Sequence, residues 1–377
     1  MKLKTKLIHG GIDGDDQTGA VSVPIYQVST YKQQGVGRHS GYEYSRTGNP
    51  TRHACEELIQ DIEGGVRGFA FASGMAAITA IVMLYRQGDH FIVGDDVYGG
   101  TYRVMSTVFD RFGVDVTYVD TSDLQAVEQA IRHETKAVIL ETPSNPLLKV
   151  SDILGISKIC QNHDLHLIVD NTFMTPFWQN PLQLGADMVI HSATKYLGGH
   201  SDVVAGLVVV NDVELGERLH HIQNSTGGVL GPQDAWLLIR GMKTLGVRMQ
   251  EHEHNTKQIV QYLQKRDDIE NIYYPGLADH AGHEIQIKQA RGFGGMLSFD
   301  VGSRERAEQV ISRVHYFTLA ESLGAVESLI SVPAKMTHAS IPAERRAELG
   351  ITDGLIRISV GLEDVEDLII DLDQALE

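Results

Sequence analysis

The sequence predicts an α/β protein: a mostly parallel seven-stranded sheet with helices on both faces, an N-terminal arm and a smaller α+β unit at the C-terminal end. Two observations predict the sheet: seven short apolar runs fall between residues 68 and 210, and helical stretches separate them. Near-continuous apolar strands alternating with helices are the mark of a parallel sheet covered on both faces. The third observation is length. At 377 residues the chain has room for two domains at roughly 150 residues each. Its 42% hydrophobic and 21% charged residues supply a substantial core.

The elements follow in order. Residues 1–48 show little periodicity and are rich in Gly, Ser, Thr and Tyr, which predicts an extended arm that something else must tie down. Residues 49–245 form the large domain. Its strands are read at "GFAFA" (68–72), "HFIVG" (90–94), "VDVTYV" (114–119), "KAVILE" (136–141), "LHLIVD" (165–170), "DMVIH" (187–191) and "GLVVV" (206–210). A long helical region over 232–265, opened by Pro232, leads into the third unit, 246–377. There "MLSFDV" and "LIRISV" read as strands. Val365, Leu368, Ile369, Leu372 and Leu376 repeat at helical spacing, with Glu363 and Asp364 at the favourable end of that last helix.

Composition excludes several functions. A formal net charge of −17 disfavours nucleic-acid binding, so any anionic ligand must be held by local positive groups. Cys55 and Cys160 lie on the apolar sides of expected helices and read as buried thiols, too few for a disulfide framework. "MKLKTKLIHGG" is basic but is not followed by the roughly 7–15-residue apolar core of a signal peptide. With no window near the ~18 apolar residues of a membrane span, a cytoplasmic protein without membrane contact is expected. His252 and His254 are two apart in a helical region and cannot face one ligand, so they read as solvated, like His220 and His221, and no metal site is expected. A nicotinamide oxidoreductase on the same sheet would want G-x-G-x-x-G after the first strand, which "FASGMAAI" does not supply. A non-catalytic interaction protein of this fold stays open.

In such sheets ligands bind at the carboxyl ends of the strands. "LHLIVDN" delivers Asp170 there, and "DMVIHSATK" delivers Lys195 just past the next strand. Acid and base would face one crevice, although the same pattern fits a part-buried Asp–Lys salt bridge. Ser73-Gly74-Met75 turns into a helix whose first N–H groups can hold an anion, with Ser192 and Thr194 as further donors. Tyr98 offers an aromatic plane on a glycine-flanked loop. Asn145 sits between two prolines, in a rigid loop suited to a cis X–Pro bond. An amine, a carboxylate, an aromatic plane, an amide and a phosphate cup are together the groups that hold a phosphorylated pyridine aldehyde on a lysine.

"YEYSRTGNPT", "FASGMAAI", "DDVYGGTYR", "ETPSNP", "VDNTF", "HSATKYLGGHSD", "AESLGAVESLISVPAKMTHAS" and "DGLIRISVGLED" resemble the Cys/Met-metabolism family of pyridoxal-phosphate enzymes, in order and from about residue 7 to the end. The resemblance implies the aspartate aminotransferase-like PLP-dependent transferase fold. It implies that Lys195 bonds the pyridoxal 5'-phosphate aldehyde, that Asp170 pairs with the pyridinium nitrogen and that Tyr98 stacks on the ring and serves as a second acid or base. Asn145 would donate to the ring's 3-oxygen and border the substrate. Gly74, Met75, Ser192 and Thr194 would bind the phosphate. Tyr44 and Arg46 match residues that reach the neighbouring subunit's site, though without the resemblance they would read as a solvated arm. Arg357, otherwise a surface strand arginine, matches the grip on the substrate α-carboxylate, a role that suits its planar fork. Ser322, Glu321 and Arg103 would complete the substrate side. A homotetramer of two site-sharing dimers and a small sulfur amino acid as substrate are further implications.

Within the family, Gly100 stands where methionine-acting members carry Cys. Arg103 is present where they lack it, and matches the residue that meets a distal carboxylate. Glu321 matches an acidic position near a distal amino group, and the aromatic of enteric β-lyases is missing from "SLGAVESL". These positions favour γ-elimination from cystathionine to cysteine, 2-oxobutanoate and ammonia, with homocysteine or cysteine desulfhydration and release of hydrogen sulfide besides. γ-Replacement, as in cystathionine γ-synthase or O-acetylhomoserine sulfhydrylase, and β-elimination stay open.

Overall fold

The computed structural model describes residues 1–11, 14–15, 17–339 and 343–377. Ser340, the last residue of the "AESLG" motif quoted above, lies outside them. The seven apolar runs are strands β1 (Arg67–Phe71), β2 (His90–Gly94), β3 (Asp115–Val119), β4 (Thr135–Glu141), β5 (His166–Asp170), β6 (Met188–Ser192) and β7 (Gly206–Val210). They form one sheet in the order β1-β7-β6-β5-β4-β2-β3. Only β7 runs against its neighbours, pairing antiparallel with both β1 and β6. Alternate residues feed two cores. Ile168, Met188, Ile190 and Val208 pack on one face; Leu167, Val169, Val189 and Leu207 pack on the other.

Residues Leu3–His9 form a short first helix, α1, and helix α2 (Pro50–Glu63) covers the second face with Cys55, Leu58, Ile59 and Ile62. Asn49 starts α2 by accepting from the Thr51 and Arg52 amides, Pro50 occupies its first turn, and Gly64 ends it at φ 76°. Helix α3 (Gly74–Val82) covers the first face with Ala77, Ile78 and Ile81, capped by Ser73, whose hydroxyl accepts from Ala76 N. Cys55 and Cys160 are both buried and free.

Three expectations need correction. Because α1 is helical and buries Leu7 to 1% exposure in the α2-side core, the arm does not begin extended. Gly10 and Gly11 permit this close docking: a Cβ on Gly11 would meet Glu57 Cβ at 2.7 Å. The rest of the arm is non-helical among its described residues and tied down by Asn49 Nδ2 to Tyr26 O (2.9 Å), Thr51 Oγ1 to Pro24 O (2.7 Å) and Trp236 Nε1 to Val23 O (3.1 Å). Secondly, the helix expected over 232–265 is two helices, Pro232–Lys243 and Leu245–Leu263, broken at Thr244 (φ −101°, ψ 3°). Arg248 explains the break: its guanidinium reaches back to Gly241 O at 2.8 Å and Thr244 Oγ1 at 3.1 Å. Thirdly, His252 is fully buried, with Nδ1 2.7 Å from Val360 O, and is not solvated; its partner in the motif, His254, is exposed.

Beyond the second of these helices lies a five-stranded sheet, β8 (Asn271–Tyr273), β9 (Met296–Asp300), β10 (Thr318–Leu319), β11 (Leu329–Ser331) and β12 (Leu355–Ser359), in the order β10-β11-β12-β9-β8. Helix Val365–Leu376 packs on it through Leu368, Leu372, Ala375 and Leu376. β12 runs between β9 and β11, which fixes Arg357 opposite Ser298 and Ser331. No helix among the described residues is long and apolar enough to cross a membrane, and none of their side chains group as a metal site.

Candidate active site

A cavity of about 660 Å³ opens at the carboxyl ends of β4, β5 and β6 and is closed on one side by β12. Every residue singled out above as a site candidate lines it, apart from Tyr44 and Arg46. Those two lie on the arm: Tyr44 is exposed, and Arg46 donates to Asn224 and stacks over the Tyr44 ring at 5.5 Å.

Lys195 points its Nζ at Ser322 Oγ, 2.8 Å away. The salt bridge with Asp170 that the sequence left open does not form. Burial, with the charge of Arg357 adding to it and Glu321 opposing, pulls the amine down to about 8, so about a tenth of it is unprotonated at pH 7, far more than for an ordinary lysine. Asp170 Oδ1 accepts from Thr172 N (3.0 Å) and Thr172 Oγ1 (2.5 Å). Burial raises its carboxyl, and those two bonds work against the rise. Arg357, 3% exposed, donates to Asn145 Oδ1 (2.8 Å) and Ser322 O (2.9 Å), and has no carboxylate partner among the described residues. Ser322 is held at φ 93°, a region L-residues seldom occupy, so that one residue presents its hydroxyl to Lys195 and its carbonyl to Arg357. Both proline bonds flanking Asn145, Thr142–Pro143 and Asn145–Pro146, are cis.

The model of the family described as "Cys/Met metabolism PLP-dependent enzyme" matches residues 4–377. This chain belongs to that family. It is 63% identical to cystathionine gamma-lyase of Bacillus subtilis over all of both chains, and 58% identical to cystathionine beta-lyase of Lactococcus lactis over 100% of this chain and 99% of the other. Among solved structures it is similar to cystathionine gamma-lyase from Lactobacillus plantarum complexed with L-serine, with a TM-score of 0.98 and 53% identity, covering 100% of this chain and 98% of that one. The chain is a pyridoxal-phosphate-dependent carbon–sulfur lyase with the α/β fold of its family.

The cavity fits that cofactor. Ser73 Oγ takes the Ala76 amide, while the Gly74 and Met75 amides find no partner among the described residues and face the cavity at the start of α3. The approach at this turn is close: a Cβ on Gly74 would lie 3.1 Å from Ser192 Cβ and 3.2 Å from its hydroxyl, so a larger residue would push on Ser192. The Tyr98 ring lies over Gly100, where a Cβ would stand 2.4 Å from Tyr98 Cε1. Thr194 departs from expectation in detail, because its hydroxyl already bonds Ala205 N (3.0 Å) and Ala205 O (3.3 Å). Two wall residues were missed from the sequence. Thr172 orients Asp170 and also accepts from Ser192 N at 2.8 Å. Glu141 closes β4, lines the cavity and accepts from Tyr98 N at 3.0 Å. Its position at the end of "KAVILE" was the available signal, the same one that marked Asp170.

Proposed function

We propose that this chain is a cystathionine γ-lyase that also desulfhydrates homocysteine or cysteine. The observation that carries this reading is a pair of guanidinium groups on one cavity with no carboxylate partner among the described residues: Arg357, buried beside Lys195, and Arg103, exposed. The Glu321 carboxylate lies on the same wall. Cystathionine carries an amine and a carboxylate at each end. Arg357 suits its reacting carboxylate, Arg103 the distal one, and Glu321 the distal ammonium. The relative in B. subtilis bears the name of this activity.

Bound pyridoxal phosphate supplies an electron sink that acidifies the substrate carbons next to it. In this reading Asp170 keeps that sink protonated, while Gly74, Met75, Ser192 and Thr194 anchor the phosphate and Asn145 meets the ring oxygen. Lys195, an amine of lowered basicity, takes the α-proton and moves a proton at the β-carbon. The Tyr98 hydroxyl donates to the departing sulfur. Water then releases 2-oxobutanoate and ammonia, balancing cystathionine plus water. Tyr44 and Arg46, which do not reach this chain's own cavity, serve a second copy's site in a tetramer of site-sharing dimers. The three units 1–48, 49–245 and 246–377 and a cytoplasmic location complete the proposal.

Product analysis with cystathionine tests it. Cysteine with 2-oxobutanoate is expected; homocysteine with pyruvate would replace it by β-elimination. In the same assay Arg103→Ala should raise KM for cystathionine by about tenfold, one charge-assisted contact, and barely change that for homocysteine. Equal effects on both substrates would remove the distal contact.

A further inference from the structure

Glu141 ends β4 directly beside Asp170, its register partner at the end of β5, and both side chains line the cavity. Neighbours at one register of a parallel pair project from the same face. Asp170 receives two donors from Thr172, bonds that favour the ionised form. Glu141 is 8% exposed and accepts one, the Tyr98 amide at 3.0 Å. The other groups facing it are Asp96, two residues past β2, and Arg357 on β12. Arg357 directs its fork to Asn145 and Ser322, so no cation pairs with Glu141 among the described residues. Two carboxylates side by side in a closed pocket do not both ionise readily.

The geometry points to Glu141 as a positioning residue that stays protonated, leaving Asp170 the ionised member of this carboxylate pair and fixing the Tyr98 loop through its N–H. The inference rests on the assignment of Asp170 and Tyr98 made above. Burial, then the charge of Asp170, holds the Glu141 carboxyl well above the usual range, in agreement with the geometry.

Glu141→Gln keeps a neutral side chain of the same shape with an acceptor for Tyr98 N; Glu141→Leu keeps neither polar atom. Cofactor-stripped protein of each kind is titrated with pyridoxal phosphate by fluorescence at pH 7 and 8.5. Expected dissociation constants lie within about threefold of wild type for Glu141→Gln, and weaken by about tenfold for Glu141→Leu, whose Tyr98 amide loses its acceptor. Melting temperatures add a readout independent of cofactor. Folded Glu141 keeps a proton that the unfolded chain releases above about pH 4.3, so stability falls as pH rises. The margin of wild type over Glu141→Gln should therefore shrink from pH 5 to 8, even where Glu141→Leu fails to fold. Glu141→Gln binding as weakly as Glu141→Leu, Glu141→Leu binding as tightly as wild type, or a margin that is flat or grows with pH would each overturn the inference. A wrong assignment of the site shows elsewhere, in the products from cystathionine and the lysine that carries the cofactor.

Discussion

Lys195 sits in a turn of small, hydroxyl-bearing residues, where a free ammonium is poorly solvated; burial lowers its basicity and Ser322 Oγ is its one described hydrogen-bond partner. The neutral amine is the form that attacks an aldehyde, so reconstitution of stripped protein with pyridoxal phosphate should quicken as pH rises through about 8 and then level off. Stopped-flow absorbance follows this; a rate still climbing steeply near pH 10 would show an amine of ordinary basicity. Most of the cavity was legible at this scale because Asp170 closes an apolar run and Lys195 and Asn145 lie in the short loops just past two others. Thr172 was not, since its part depends on hydroxyl geometry two residues past Asp170. Tyr44 and Arg46 were legible only by resemblance, since nothing in one chain brings them to the cavity.

The seven strands of the large sheet, with β9 and β12 of the small one, were legible to within a residue or two, because apolar runs bounded by polar residues mark buried strands whatever their direction; β8, β10 and β11, of two or three residues each, are too short to leave such a run. Direction was not legible: β7 is as apolar as the other strands of the sheet, and only pairing reveals that it runs against both its neighbours. The break at Thr244 was hidden for a related reason, since the helical pattern continues through it and the cause is a contact made by Arg248. That arginine, 3% exposed, also donates to Tyr196 O at 2.7 Å, tying the turn that carries Lys195 to the junction of the two helices. Gly199 leaves room for it, as a Cβ there would lie 2.2 Å from Arg248 Nη1. Arg248→Met leaves Tyr196 O without a donor, while Gly241 O keeps Thr244 N and Oγ1, and it also removes a buried charge, so the net loss should be about 2 kcal/mol. Denaturant unfolding measures it; an unchanged midpoint would show that the clamp contributes nothing.

Over the whole molecule, the two sheets come together at one place. The large sheet presents Asp170, Ser192 and Lys195 at its strand ends; the small one presents Arg357 from its central strand; and Ser322 bonds both Lys195 and Arg357. The account stands on that convergence being the place where the cofactor is bound. The most direct measurement is borohydride reduction of the holoenzyme followed by peptide mapping. The pyridoxyl group is predicted on the peptide containing Lys195 and on no other, with loss of colour and of activity together. A label on another lysine, or full turnover by Lys195→Ala, would contradict it.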